Sequence, residues 1–283
     1  MPLERRFKVQ GHTLAALEWG DAGGLPVLAL HGWLDNAGSF ERLAPLLAGC
    51  RVVALDLAGH GFSDFRSEDS GYLLWQDVGD AIEVADRLGW TRFSLIGHSR
   101  GAAIATLVAG TFPERIERLV LIEGGLPLID PPDAAPARLA EALVRKRELA
   151  GRTGRVFAGR ERAIEERVAG FSKVERETAE ILARRSLRAV PGGWVWHADQ
   201  RLKAPSELRF TPDQVRAFVT RVTAPVLMFR ATESPFNRSP EYDEIVPLFR
   251  SLRVVRLAGG HHFHLEGAEH AIAAEIRRFF ALD

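Results

Sequence analysis

Six short runs of consecutive apolar residues constrain this chain more than any other feature. PVLALHG (26–32), RVVALDL (51–57), RFSLIGH (92–98), ERLVLIE (117–123), APVLMFR (224–230) and LRVVRLA (252–258) show little apolar–polar alternation. Strands read that way when helices cover both faces of a parallel sheet. Helical patterns lie between them: SFERLAPLLAG (39–49), YLLWQDVGDAIEVADRLGW (72–90), RGAAIATLVAGTFPER (100–115) and AEHAIAAEIRRFFALD (268–283). Strand–helix alternation implies right-handed crossovers and an α/β fold with a mostly parallel, doubly wound sheet. ERRFKVQG and HTLAALEWG meet at a glycine and read as an antiparallel hairpin on the sheet edge.

The alternation breaks between about residues 126 and 222. Pro127, Pro131, Pro132 and Pro136 mark a linker, and ARLAEALVRKRELAG and VERETAEILARRSLRAV then read as amphipathic helices. The strand pattern resumes at Ala224, so the block is inserted rather than appended. The expected organisation is a core of 1–125 and 223–283, with an inserted helical block over 126–222.

Composition removes several function classes. Lys+Arg and Asp+Glu are both 37, and a net charge of zero offers no grip on nucleic acid or an anionic membrane. Cys50 is the one cysteine, so a disulfide framework and a cysteine zinc site are both out, and it reads as a small buried apolar residue. The histidines show no H-E-x-x-H or comparable ligand spacing, and no metal is expected. No signal-like or membrane-length apolar stretch stands out, which gives a cytoplasmic protein as the expectation, monomer or homodimer.

Gly97-His98-Ser99-Arg100-Gly101 sits between the strand RFSLI and the helix AAIATLVAG. That is the context a G-x-S-x-G nucleophile elbow requires, with Ser99 on a tight strand-to-helix turn. A serine nucleophile needs a base and donors for the oxyanion it creates. The Arg100 backbone N–H, at a helix start, is one donor. The Trp33 N–H, in the loop His31-Gly32-Trp33, is the other. Losing one such donor costs about 3–4 kcal/mol of transition-state stabilisation. The base should follow the last strand, where AGGHHFHLEG (258–267) offers His261, with His262 and His264 as alternatives. Glu123 ends a buried strand, where an uncompensated carboxylate costs several kcal/mol.

The segments HGW (31–33), DLAGHGFSD (56–64), GHSRG (97–101) and GGHHFHLEG (259–267), in this order, resemble the α/β-hydrolase superfamily over nearly the whole chain. LHGWLDNAGSFERLAPLL and VALDLAGHGFSD more narrowly resemble the serine hydrolase-like proteins. The resemblance implies an α/β-hydrolase fold with 126–222 as its helical cap, His261 as base, and a triad acid after one of two strands. Family members commonly carry an Asp after the strand matching APVLMFR. Here that position is Ser234, with Glu233 beside it. In another branch the acid follows the strand after the nucleophile helix, which is Glu123 here. Both keep the order Ser–acid–His. Glu123 is the expected acid because an apolar run precedes it and position 234 lacks an Asp, and Glu233 is the alternative.

The implied activity is hydrolysis of a small carboxylic ester through an acyl-enzyme, with no cofactor and a small-molecule substrate. Lactones, amides, thioesters and carbon–carbon bonds suit the same parts, and so does a non-catalytic ligand-binding protein of the same fold. A serine at 99 disfavours the dehalogenase and epoxide hydrolase chemistries of the superfamily, which use an Asp nucleophile. His31, Trp194 and Trp196 are candidate pocket residues, although His31 also reads as a loop prop and either Trp as packing. Arg201 is a candidate for a substrate carboxylate or for pairing with Asp199. Asp35, Asn36, Asp56, His60 and Asp64 read as residues that hold loops together.

Overall fold

The computed structural model describes residues 1–9, 11–170, 173–234 and 240–282 of the 283-residue chain. Gln10 of the expected hairpin and Asp283 of the expected last helix lie outside those residues. Each of the six apolar runs forms a strand of one eight-stranded sheet. Its strands are β1 (Leu3–Val9), β2 (His12–Trp19), β3 (Leu25–Leu30), β4 (Cys50–Leu55), β5 (Phe93–His98), β6 (Ile116–Ile122), β10 (Val226–Ala231) and β11 (Leu252–Leu257). Spatial order is β1-β2-β4-β3-β5-β6-β10-β11, and only the pairings of β2 are antiparallel. The expected edge hairpin is β1–β2, with Leu3 opposite Glu18.

The absence of alternation in the strands follows from two separate cores. Leu28, Val53, Leu95, Leu121 and Met228 face one cluster, and Val27, Ala29, Ile96, Val120 and Phe229 the other. Successive residues point to opposite faces, and in the six apolar runs both faces are dry except along the edge strand β11, where Arg253, Val254 and Arg256 are exposed. Helices α1 (Leu74–Arg87) and α2 (Arg100–Thr111) cover the first face, to which α7 (Pro240–Ile245) adds Ile245, and α8 (Glu269–Phe280) covers the second through Ile272, Ile276 and Phe280. The expected helix over 39–49 is instead two short 3₁₀ turns, Ala37–Phe40 and Ala44–Leu46. Pro45 lacks the N–H that an α-helix would need there, while Phe40 and Leu43 still fill the second core.

The segment between β6 and β10 holds helices α3 (Ala135–Leu149), α4 (Arg160–Val168), α5 (Arg176–Ser186) and α6 (Pro212–Arg221). It also holds a small antiparallel sheet ordered β7 (Val156–Phe157), β9 (Gly193–Trp196), β8 (Leu187–Val190), which periodicity does not reveal. Helix α6 packs with the main sheet: Val215 and Val219 are fully buried in the first core. Buried polar contacts tie α5 to the sheet. Arg185 bonds Glu4 and Asp56 at 2.6–3.3 Å, and Asn36 donates to Leu182 O at 2.8 Å. No helix among the described residues is long and apolar enough to cross a membrane.

Candidate active site

Strand β5 ends at His98, helix α2 begins at Arg100, and Ser99 makes the turn alone with φ 52° and ψ −115°. Two glycines make the turn physically allowed. A Cβ on Gly101 would overlap the carbonyl of Leu30 at the end of β3, and one on Gly97 would overlap the backbone of Gly101 and Ala102. The helix start is therefore pressed directly onto the sheet edge. Helix bonding begins with Ala102 and Ala103, both donating to Ser99 O, so the Arg100 N–H is one of the orphan donors of a helix start. In the neighbouring loop Asp35 N donates to Gly32 O and turns the chain around Trp33. Leu34 takes a positive φ of 59°.

The loop after β11 delivers the expected base, His261. His261 Nε2 lies 2.9 Å from Ser99 Oγ, so the hydroxyl can donate to the imidazole. His261 Nδ1 faces Glu123 Oε2 at 3.6 Å, slightly beyond ordinary hydrogen-bond length. Glu123 follows β6 directly, has a positive φ of 48° and is 1% exposed. Its other oxygen accepts from the Ala231 N–H at 2.5 Å, at the end of β10. Neighbouring strand ends therefore hold the carboxylate in place. Glu233 is exposed, and its backbone N–H bonds Gly259 O at 3.1 Å. The structure brings Ser99, His261 and Glu123 together and leaves Glu233 outside.

The other two histidines of the loop turn inward. His262 Nε2 lies 3.1 Å from Asp35 Oδ2, and His264 Nε2 lies 3.0 Å from Ser39 Oγ. His98 joins them: its Nε2 lies 2.9 Å from the His261 carbonyl and must donate there, which leaves Nδ1 as an acceptor. Burial, then the neighbouring histidines, hold the His98 imidazole well below its ordinary pKa, and burial brings His264 to about 3. Burial works against the Asp35 carboxylate, yet His262, Arg167 and His98 together keep it well below the usual carboxylate range. Arg167 reaches in from α4 to Asp35 Oδ1 at 2.7 Å.

Asp35, His98 and His262 are also the one group with metal-ligand spacing among the described residues, their candidate atoms lying within 4.8 Å of one another. The Arg167 guanidinium already supplies the positive charge that Asp35 needs there. Sequence spacing gives no hint of this cluster, because its members come from three distant segments.

Ser99, Glu123 and His261 open onto a cavity of about 1180 Å³, whose wall includes Trp33 and Arg100. Three expected pocket residues are not on that wall. His31 is fully buried, with Nδ1 2.7 Å from Gly32 O and Nε2 accepting from the Leu57 N–H at 2.9 Å, so it props the loop. Trp194 and Trp196 lie in β9 and pack on the small core beneath the second sheet, where Trp196 Nε1 donates to Ala163 O at 3.2 Å. Arg201 is on the wall but bonds Asp199 at 2.6–3.2 Å and four backbone carbonyls, which leaves it no open face for a substrate carboxylate. The aromatic wall residues are instead Trp33, Tyr72, Trp75, Phe210 and Tyr242. Trp75 and Phe210 sit in stretches whose helical or loop pattern gives no pocket signal.

Residues 26–268 match the sequence profile of a family described as having the alpha/beta hydrolase fold. A serine hydrolase-like protein of Danio rerio is 32% identical over 98% of this chain and 87% of its own length. The solved structure of a hypothetical protein from Pseudomonas aeruginosa superposes with a TM-score of 0.94 at 46% identity, covering 98% of this chain and 99% of that one. A thioesterase domain from the curacin biosynthetic pathway superposes at 0.86 with 25% identity, covering 98% of this chain and 99% of that one. With an elbow between β5 and α2 and a strand order that carries it at the sheet's centre, the chain belongs to the α/β-hydrolase family.

Proposed function

We propose that this hydrolase cleaves a carboxylic ester through an acyl-enzyme on Ser99. Ser99 Oγ attacks the substrate carbonyl and its proton passes to His261 Nε2. The Trp33 and Arg100 N–H groups hold the resulting oxyanion, and Glu123 fixes the imidazole tautomer and offsets the imidazolium charge. His261 gives the proton to the departing alkoxide, leaving an acyl ester on Ser99. Water then attacks that ester, loses its proton to His261, and the acid leaves as Ser99 recovers its hydrogen. These steps need only side chains, backbone donors and water. The segment 126–222 acts in this reading as the cap, since Leu126–Ile129, α3 and residues 201–210 supply much of the cavity wall.

The observation that carries the reading is the 2.9 Å contact of Ser99 Oγ with His261 Nε2, on a strained turn facing an open cavity. A fluorophosphonate probe should label the wild-type protein at Ser99, located by peptide mass, and leave Ser99→Ala unlabelled. Ser99→Ala should also lose turnover of p-nitrophenyl acetate. Labelling at another residue, or equal turnover by the variant, refutes the reading.

Thioester cleavage is a second reading, favoured by the superposition on a thioesterase domain. An oxyester and a thioester sharing one acyl group, compared by kcat/KM, separate the two.

A further inference from the structure

The wall of the cavity carries apolar surface that the fold itself does not cover. Trp33, Trp75, Leu128, Val144 and Leu208 all line it and are 43–63% exposed. They are five of thirteen exposed large hydrophobic residues in the whole described chain. Single exposed apolar side chains need no explanation, but five converging on one opening form a surface that a ligand would dry. They come from four separate segments: the turn after β3, the start of α1, the stretch 126–148 and the loop before α6. Packing within one element therefore does not account for their convergence.

Charge on the same wall points the same way. Among the described residues, five of the wall's six lysine and arginine side chains are in ion pairs, including Lys146 with Glu207 at 3.4 Å and Arg209 with Asp130 at 3.1 Å. The sixth, Lys203, is exposed and donates to Gln200 at 2.9 Å. Glu241, also on the wall, adds negative charge. Among the described residues, nothing in this arrangement is set to hold a phosphate or carboxylate on the far part of a substrate. The volume, about 1180 Å³, also exceeds the roughly 300–1,000 Å³ that suits drug-sized ligands. An acetyl group would leave nearly all of it wet.

The geometry points to a substrate whose acyl group is a long, uncharged hydrocarbon chain of about six carbons or more, seated against Trp75, Leu128, Val144 and Leu208. This inference rests on the acyl-hydrolase reading above. The acyl side is favoured because the acyl group stays on Ser99 through both steps, whereas the alcohol leaves after the first. An apolar acyl wall therefore stabilises both transition states.

The test is kcat/KM for p-nitrophenyl acetate, butyrate, hexanoate, octanoate and decanoate. Each buried methylene should raise it about fourfold until the chain outgrows the wall. Val144→Arg and Leu128→Ser should each lower the decanoate-to-acetate ratio at least tenfold. Ser99-dependent turnover that stays flat or falls beyond acetate overturns the inference and leaves the hydrolase reading standing. A rise only in a series of alkyl acetates, which lengthens the alcohol instead, overturns it as well.

Calorimetry on Ser99→Ala with 1-butanol and 1-octanol judges the apolar site without any turnover. Octanol should bind at least tenfold more tightly, and Val144→Arg should erase the difference. Equal affinities overturn the inference. Undiminished acetate turnover in Ser99→Ala would sink the hydrolase reading, and the calorimetry would still decide the site.

Discussion

Replacing Glu123 by glutamine separates charge from shape at the end of β6. The amide keeps the size of the side chain and a carbonyl for the Ala231 N–H, so the turn should survive. What goes is a unit negative charge 3.6 Å from His261 Nδ1. At an effective dielectric constant of about 20, two unit charges at that distance attract by about 5 kcal/mol. In the proposed mechanism that attraction exists only once His261 has taken the Ser99 proton, so it would stabilise the transition state and not the resting enzyme. The expected loss in kcat is therefore roughly 10³- to 10⁴-fold, comparable to neutralising the acid of other serine triads. The assay is steady-state hydrolysis of one p-nitrophenyl ester, with near-UV circular dichroism to confirm that the fold is kept. Glu233→Gln is the control, and its exposed side chain should cost less than threefold. If Glu123→Gln stays within tenfold of wild type while Glu233→Gln collapses, the assignment of the acid is wrong.

Gly101→Ala should cost at least about 2 kcal/mol, because its methyl would overlap the Leu30 and His31 carbonyls, backbone that cannot rotate away. Urea unfolding checks it, and an unchanged midpoint refutes the close-approach argument. Ser99→Gly should be more stable than Ser99→Ala by about 1 kcal/mol, since both lack the hydroxyl but only glycine accepts the positive φ at no steric cost. Equal unfolding midpoints would mean that the turn is unstrained. Stability should fall as the medium is acidified below pH 6.5, because burial holds His31, His60, His98 and His264 below their ordinary value and the unfolded chain then binds protons that the folded chain refuses. His264 alone, at about 3 when folded, removes about 2 kcal/mol between pH 6.5 and 5, so urea midpoints that agree at pH 7.5 and 5.0 would contradict the burial.

The sheet was legible because its signal is local. A strand covered on both faces has to be apolar throughout, and that pattern sits within six or seven consecutive residues. The Ser99 turn was legible for the same reason: Gly97, Ser99 and Gly101 fall within five positions, and the two glycines let a helix start press onto a strand edge. Features made by distant residues were not legible. Trp194 and Trp196 look like pocket aromatics until Phe157 and Leu187 are paired opposite them in the second sheet. Arg201 looks available until the carbonyls of residues 66–70 close around it. The helix expected over 39–49 breaks into two turns because Pro45 lacks an N–H, a detail that the apolar spacing around it hides. Glu123 and Glu233 could be ordered from sequence, but only the placement of β6 beside β10 puts one carboxylate at His261 and leaves the other in solvent.

Backbone strain marks the site independently of any motif. Four non-glycine residues among those described have a positive φ: Leu34, Ser99, Glu123 and Ala281. Ala281 ends α8 in a left-handed helix stop, a common use of that conformation. The other three follow β3 by a few residues, β5 directly and β6 directly, and β5 and β6 are neighbours in register at His98 and Ile122. Each such residue costs about 1–3 kcal/mol that glycine would avoid. Glycine was available here: Gly124 is next in the chain, pressed so close to Ser99 that a Cβ would meet its backbone at 2.6–3.0 Å. A chain shaped only for stability would place glycine at 99 and 123 as well. It instead carries a hydroxyl and a carboxylate, both turned toward one imidazole, on strand ends rigid enough to hold them there. In the proposed mechanism these are the three positions that supply a nucleophile, a countercharge and a loop bent around the Trp33 N–H, which is where the strain would be of use.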